Sequence, residues 1–262
     1  MNKSQIIALY DRDQRKDVEY PDMRREVLPS VVRHINTSGT GEGTIIYSQV
    51  NEINAADTIR EQVIYFESIG QDFEWKVYDY DRPSDLKERL GAYGFIVEEA
   101  EAIMVLDLED APAILWQPVH HNVQRINYPE KIADVLTVEQ QVWDEDYSWL
   151  GDYLGHNFEQ MSVYVAYIDE KPASAAWIYF PKRSQFASLW GGSTVSSFRR
   201  QGLYTALLAV RAQEAKGRQV RYLTVDASAM SRPILEKFGF EMIAYSYPCK
   251  WRCKPQKQGV AT

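Results

Sequence analysis

Along the second half of the chain the apolar positions switch between two periods. Residues 132–146 read as a helix with Val135, Val138 (or Glu139) and Val142 on one side. Residues 147–160 predict a second helix or lid, rich in Trp149, Leu150, Tyr153, Leu154 and Phe158. Residues 162–168 and 173–180, joined by Asp169-Glu170-Lys171-Pro172, predict a β-hairpin. Residues 186–190 predict a strand, which Gly191-Gly192-Ser193-Thr194-Val195 carries to its end. Leu203, Ala206, Leu207 and Val210 then fall at i, i+3, i+4 and i+7 on one helix face, with Gly217 as the expected left-handed stop. A strand at 221–226, a short helix from Ser231 and a last strand at 240–251 follow.

The first half repeats this order in faded form. Residues 44–50 and 75–79 predict strands by their β-branched and aromatic content. Between them Asn54 is the expected cap of a helix with Ile59, Val63 and Phe66 inward, and Asp57 stands where a capping-box acid belongs. Residues 81–95 match 231–240: both run Arg-Pro, a charged short helix, then Gly-Phe opening a strand. Residues 109–127, with Pro112, Pro118 and His120-His121, read as a polar connector. Gly39-Thr40-Gly41-Glu42-Gly43 precedes a strand and no lysine follows it, so it reads as a flexible loop and not a phosphate cradle.

The most informative stretch is Arg199-Arg200-Gln201-Gly202-Leu203-Tyr204, between the 186–195 strand and the helix after it. The first turn of a helix has unpaired N–H groups and a partial positive charge. Gly202 lets backbone approach a phosphate closely, and Arg199 and Arg200 add charge-assisted hydrogen bonds. This turn is therefore expected to hold a pyrophosphate. Between Val50 and Ile59 the first half has Glu52 and Asp57 and no such arginines, so one anion site per chain is expected.

The segment resembles the acetyl-CoA signature of the GNAT superfamily of N-acyltransferases, R/Q-x-x-G-x-G/A, at Arg199, Gly202 and Tyr204. Tyr204 departs from the small last position, so the turn must open slightly or turn the ring outward. Residues 231–240 look like the second signature of that family, ending in Lys237-Phe238-Gly239-Phe240. The resemblance covers 126 to about 251 well, and the first half only through the internal repeat. It implies an α+β chain with a mixed sheet: a degenerate GNAT-like domain over 1–110, a linker over 111–125, and a GNAT domain binding acyl-CoA over 126–262.

The resemblance further implies that acetyl-CoA, the co-substrate, lies against Ser193, Thr194 and Val195, the turn Arg199, Arg200, Gln201, Gly202, Leu203, Tyr204 and Thr205, and the polar groups Ser228 and Ser231. An amine attacks the thioester directly. The usual tyrosine acid is replaced by Leu235, the asparagine that opens the second signature aligns with Ser228, and the 186–195 strand lacks the glutamate many relatives use as a base. Asp226, Ser228 and Tyr245 are the candidate proton carriers, with Tyr247 behind them. Ser231 reads equally as a helix N-cap and Asp226 as a loop-closing acceptor. Asp144-Glu145-Asp146 lies near where relatives bind the acceptor, although such a run is usually a solvated helix end. Trp143, Trp149 and Tyr153 are either pocket walls or core.

Composition narrows the function classes. A net charge of −8 argues against nucleic acid as partner and suits a cationic amine. No apolar run approaches a membrane span, and Met1-Asn2-Lys3-Ser4-Gln5 has no signal-peptide pattern. Cys249 and Cys253 form neither a disulfide framework nor a zinc site, as expected of reduced thiols in the cytoplasm. The sequence thus reads as a cytoplasmic N-acetyltransferase acting on a small amine or amino-acid-like molecule, a protein amine remaining open. The alternative is a CoA-binding sensor.

Overall fold

The structure, a computed structural model, describes residues 2–39 and 41–253. Its elements are α1 (Lys3–Tyr10), β1 (Met23–Val27), β2 (Val31–Asn36), β3 (Gly43–Ser48), α2 (Ala55–Ser68), β4 (Phe73–Tyr78), α3 (Leu86–Ala92), β5 (Ile96–Val97), β6 (Glu101–Asp107), β7 (Asn122–Ile126), α4 (Ile132–Trp143), α5 (Ser148–His156), β8 (Met161–Ile168), β9 (Lys171–Tyr179), β10 (Phe186–Thr194), α6 (Leu203–Gly217), β11 (Tyr222–Ala227), α7 (Arg232–Glu236) and β12 (Glu241–Trp251). None of the described helices is long and apolar enough to cross a membrane.

Two compact units emerge, each discontinuous in sequence. One combines the chain up to Gln14 with Ile103–Ile243, and the other combines Arg15–Ala102 with the chain from Ala244 onward. The expected division at 110 and 126 is continuous and does not follow these boundaries, which fall inside β6 and β12. Nor is 111–125 a plain connector. Ala113–Trp116 forms a 3-10 turn whose Leu115 is fully buried, and β7 pairs antiparallel with β8.

In the first unit the strand order is β6-β11-β10-β9-β8-β7. The β8–β9 hairpin turns through Asp169 and Glu170, both left-handed, as a tight hairpin turn requires. On β8, Ser162 and Tyr164 donate to Glu214 of α6, whereas Tyr167 donates to Asp134 of α4. Side chains alternate across a strand, so α4 and α6 cover opposite faces. Apolar residues such as Val163, Ile178, Leu207 and Leu223 fill the space between, each fully buried. Asp13 and Gln14 tie the start of the chain to this unit: Asp13 accepts from the Gln185 N–H, and Gln14 bonds Ser184 and Ser188.

The second unit has the order β1-β2-β3-β4-β12, with β5 also on β12. Its core gathers Ile45, Ile59, Phe66, Phe73 and Trp75, all fully buried. The Phe66 ring occupies the space beside Gly43, so a Cβ there would collide with it, and the glycine of the 39–43 loop serves packing. The first residue of the α2 turn departs from expectation. Asn54 makes no side-chain cap bond, and Asn51 Oδ1 instead accepts from the N–H groups of Ile53 and Asn54. Asp57 pairs with Arg60 and forms no capping box.

Both units part a parallel strand pair in the same way. β10 pairs with β11 only over Phe186–Ser188, and β3 pairs with β4 only over Gly43–Ile45. In the second unit Ile46, the next residue of β3, is bulged out of register with β2. Arg15 takes up that gap. It donates Nε to the Ile46 carbonyl at 2.8 Å and Nη2 to both oxygens of Asp81 at 2.9 and 2.8 Å, and its guanidinium lies 3.8 Å from the Tyr78 ring centre. Its side chain is 1 % exposed and that of Asp81 5 %. Removing one partner of such a buried pair strands a charge and costs about 3–5 kcal/mol. The notch of the second unit is thus filled by its own chain.

Candidate functional site

In the first unit the corresponding notch is shaped by glycine. Gly191 and Gly192 have φ of 68° and 91°, and the register against β9 shifts between Gly191 and Ser193. A Cβ on Gly191 would lie 2.5 Å from the Trp177 ring, so no other residue fits this bulge. Past Ser188 the edge of β10 toward β11 makes no further ladder pairs. Ser193 and Thr194 remain paired to Ala175 and Ser174 of β9, and the Val195 N–H donates to the Ala173 carbonyl. The expected pantetheine residues therefore keep one edge in the sheet and turn the other to the gap.

The expected pyrophosphate turn follows. Arg200 and Gly202 are left-handed, with φ of 64° and 80°. The first helical bond runs from the Ala206 N–H to the Gly202 carbonyl, which leaves the N–H groups of Leu203, Tyr204 and Thr205 without an intrahelical acceptor. No side chain caps this end. Arg199, Arg200, Gln201 and Gly202 are exposed. Arg199 donates Nε to the Thr194 carbonyl at 3.1 Å, which fixes its guanidinium between the strand end and the helix start. The turn has the donors, charge and open backbone that a pyrophosphate needs.

Arg211 anchors this helix and was not anticipated. It is 2 % exposed and donates to the carbonyls of Leu207, Trp177 and Trp190, so one guanidinium joins α6, β9 and β10 at the bulge. Burial pulls its pKa down to about 10, which leaves it charged at neutral pH. The helix itself stops differently from expectation: Gly217 is its last residue, and the left-handed position is Gln219, with φ of 62°.

Tyr204 is not turned outward. Its ring lies 3.2 Å from where a Cβ on Gly192 would stand and 6.2 Å from the Phe238 ring centre. Burial raises its phenol pKa, opposed by the Arg211 charge. His121 also departs from the polar-connector reading. Its Nε2 donates to the Gln201 carbonyl at 2.8 Å, and its ring lies 3.2 Å from the position of a Cβ on Gly202. The imidazole is thus part of the turn.

The proton-carrier candidates are divided between the two units. Asp226 is exposed near the end of β11. Ser228 accepts from the Ser231 N–H at 3.3 Å, so Ser228, and not Ser231, supplies the side-chain oxygen at the start of α7. Leu235 is 1 % exposed and packs into the core. Tyr245 and Tyr247 belong to the second unit, where Lys87 Nζ lies 3.5 Å from the Tyr247 ring centre. The acidic run ends one helix and begins the next. Asp144 is the left-handed cap of α4, and Asp146 accepts from the N–H and Oγ of Ser148, which hold its pKa low.

A carboxylate absent from β10 itself reaches that strand from α4. Ser193 Oγ donates to Glu139 Oε2 at 2.9 Å, and Trp143 Nε1 donates to the same oxygen at 3.0 Å. Burial raises the Glu139 pKa, while the bonds from Ser193 and Trp143 lower it in part. The sequence carried one signal for this residue: a glutamate at a core-facing position of the helical pattern.

Residues 124–240 match the acetyltransferase (GNAT) family. No curated protein is similar enough in sequence to match the chain. Among solved structures, a GCN5-related N-acetyltransferase from Kribbella flavida superposes with a TM-score of 0.67 at 14% identity, covering 95% of this chain and 93% of that one. A tandem GNAT protein from the clavulanic acid biosynthesis pathway gives 0.62 at 12%, covering 91% and 86%. A GNAT-family acetyltransferase from Colwellia psychrerythraea gives 0.56 at 10%, covering 95% and 96%. At these identities the likeness is one of fold, and it extends over both units.

Proposed function

We propose that the protein transfers an acyl group, acetyl first among them, from acyl-CoA to a primary amine, as the match of residues 124–240 to the acetyltransferase (GNAT) family supports. The observation that carries this reading is the continuity of the parted β10 edge, the glycine bulge and the open helix start at Gly202. Together they form one path for a long thioester whose far end is a pyrophosphate. The amine attacks the carbonyl carbon directly, the C–S bond breaks, and the thiolate leaves. The protein positions the two reactants and provides donors where charge develops. Cys249 is buried with its pKa pushed up to about 12, and neither it nor Cys253 forms a disulfide among the described residues, in keeping with a cytoplasmic setting. Turnover of acetyl-CoA against a panel of amines tests the reading; tight acetyl-CoA binding with no turnover would favour a CoA-binding sensor, the reading that the buried Leu235 supports.

Stoichiometry follows from the two notches. Arg15 and Asp81 fill the second unit's, so calorimetric titration is expected to give one acetyl-CoA per chain. A value of two would refute that assignment.

Protonation of the leaving thiolate is expected to be dispersed. An alkyl thiol has a pKa of about 8.5, so the thiolate is a tolerable leaving group at neutral pH. Leu235→Phe should act through packing alone, and Ser228→Ala or Asp226→Asn should lower turnover by less than the factor of roughly 10²–10⁴ typical of a dedicated acid. The basic limb of the pH–rate profile should persist in each. Abolished turnover with intact acetyl-CoA affinity, in either polar variant, would identify a dedicated group.

A further inference from the structure

Glu139 is 3 % exposed, and its Oε1 is buried with no hydrogen-bond partner among the described residues. Both of its donors, Ser193 and Trp143, are neutral and both use Oε2. A buried carboxylate with one bare oxygen and no cation is an incomplete ion site, and such groups are retained at a cost unless a partner arrives. A purely structural pin between α4 and β10 would not need a charge, since an amide oxygen accepts the same two bonds.

The surroundings indicate the partner. Ser193, which touches the carboxylate, lies on the strand edge assigned above to the thioester. Trp143, which donates to the carboxylate, is itself 52 % exposed, and its Nε1 is shared with Ser193 Oγ at 3.1 Å. Tyr147, whose pKa is raised by burial and then by the charges of Glu145 and Glu139, and Trp149, 58 % exposed, stand with ring centres 6.3 Å apart. An exposed tryptophan bonded to a buried carboxylate favours an ammonium group as the ligand.

We propose, building on the acyltransferase reading, that the missing partner of Glu139 is the ammonium of the acceptor, admitted when Trp143 moves aside, and that Glu139 is its proton acceptor. The acceptor arrives as R–NH3+. One proton passes to the carboxylate, the freed lone pair forms the C–N bond, the C–S bond breaks, and the second proton leaves nitrogen as the thiolate is protonated. The acceptor class is therefore a primary amine that is cationic at neutral pH.

The test compares a primary alkylamine with an aniline, which is neutral at the same pH, in the full-length protein. Glu139→Gln keeps an oxygen for Ser193 and Trp143 and removes the charge and the base. It is expected to lower kcat/KM for the alkylamine by about 100-fold or more, and for the aniline by less than about 10-fold, with acetyl-CoA affinity unchanged. Equal losses for both acceptors, or none, would overturn the proposal. If Glu139→Gln does not fold, Glu139→Asp carries the same comparison, because withdrawing the carboxylate should penalise the alkylamine more than the aniline; equal penalties overturn it. If the parent protein binds acetyl-CoA but acylates neither amine, acyl transfer and the proton-acceptor role both fail. Calorimetry of the alkylamine on the CoA complex then decides the ammonium site, with binding lost in Glu139→Gln supporting it and unchanged binding refuting it.

Discussion

Replacing Gly202 with valine is expected to reduce acetyl-CoA affinity by at least about 100-fold while the protein still folds. The residue sits at φ 80°, where an L side chain costs on the order of 1–2 kcal/mol. A Cβ there would also stand 3.2 Å from His121 Cε1, a contact that a small rotation of an exposed ring relieves. Folding therefore loses little. Binding loses more, because the methyl groups of valine stand where backbone has to approach the phosphates. Arg199→Ala should weaken binding by about 1–3 kcal/mol, the range for a charge-assisted contact. Since Arg199 also holds the Thr194 carbonyl, Arg199→Lys separates charge from bracing: it should recover part of the affinity if the charge is what matters. Calorimetry on variants shown to be folded decides this, and unchanged affinity in both Gly202→Val and Arg199→Ala would remove the turn from the site.

What the sequence made legible is what local chemistry decides. The open helix start at Gly202 was readable because glycine, two arginines and a helical apolar stripe stand within a dozen residues. The β8–β9 hairpin, the strands β3, β4, β10 and β11 and the repeat between halves were readable from period and order. Features built from distant residues were not. His121 reaches the turn across 80 positions, and nothing local marks it. Arg15 lies in a charged stretch without apolar period, so its burial in the second unit's notch is invisible until β3 and β4 part. β1 and β2 escaped for a similar reason, since Arg24, Arg25 and Arg33 interrupt their apolar pattern. Gln219 took the left-handed position expected of Gly217 because the helix runs through the glycine. Glu139 is intermediate: the helical pattern offered it only as the alternative to Val138 on the inward face, and only the contact with Ser193 gives that placement chemical meaning.

A separately expressed 126–262 fragment, the continuous piece that carries the family match almost entirely, is expected to be insoluble or molten. The cut removes β6, whose Ile103, Met104, Val105 and Leu106 are at most 1 % exposed and which borders β11 in the first unit's sheet. It removes the carbonyl of Met104 to which Thr224 donates, and the carboxylate of Asp107 that Arg221 grips with two bonds. It takes Asp13 and Gln14 from the start of β10, and nearly all of β7 from the β8 edge. At the other end it leaves Ser246–Trp251 of β12 without β4, to which all six residues pair, and Trp251 without Phe73. Apolar strand edges left bare in this way bind dyes and other chains sooner than they order. Retained far-UV circular dichroism with lost near-UV signal and dye binding would mark the molten outcome. A soluble fragment with a cooperative thermal transition and parental acetyl-CoA affinity would show that these contacts are dispensable.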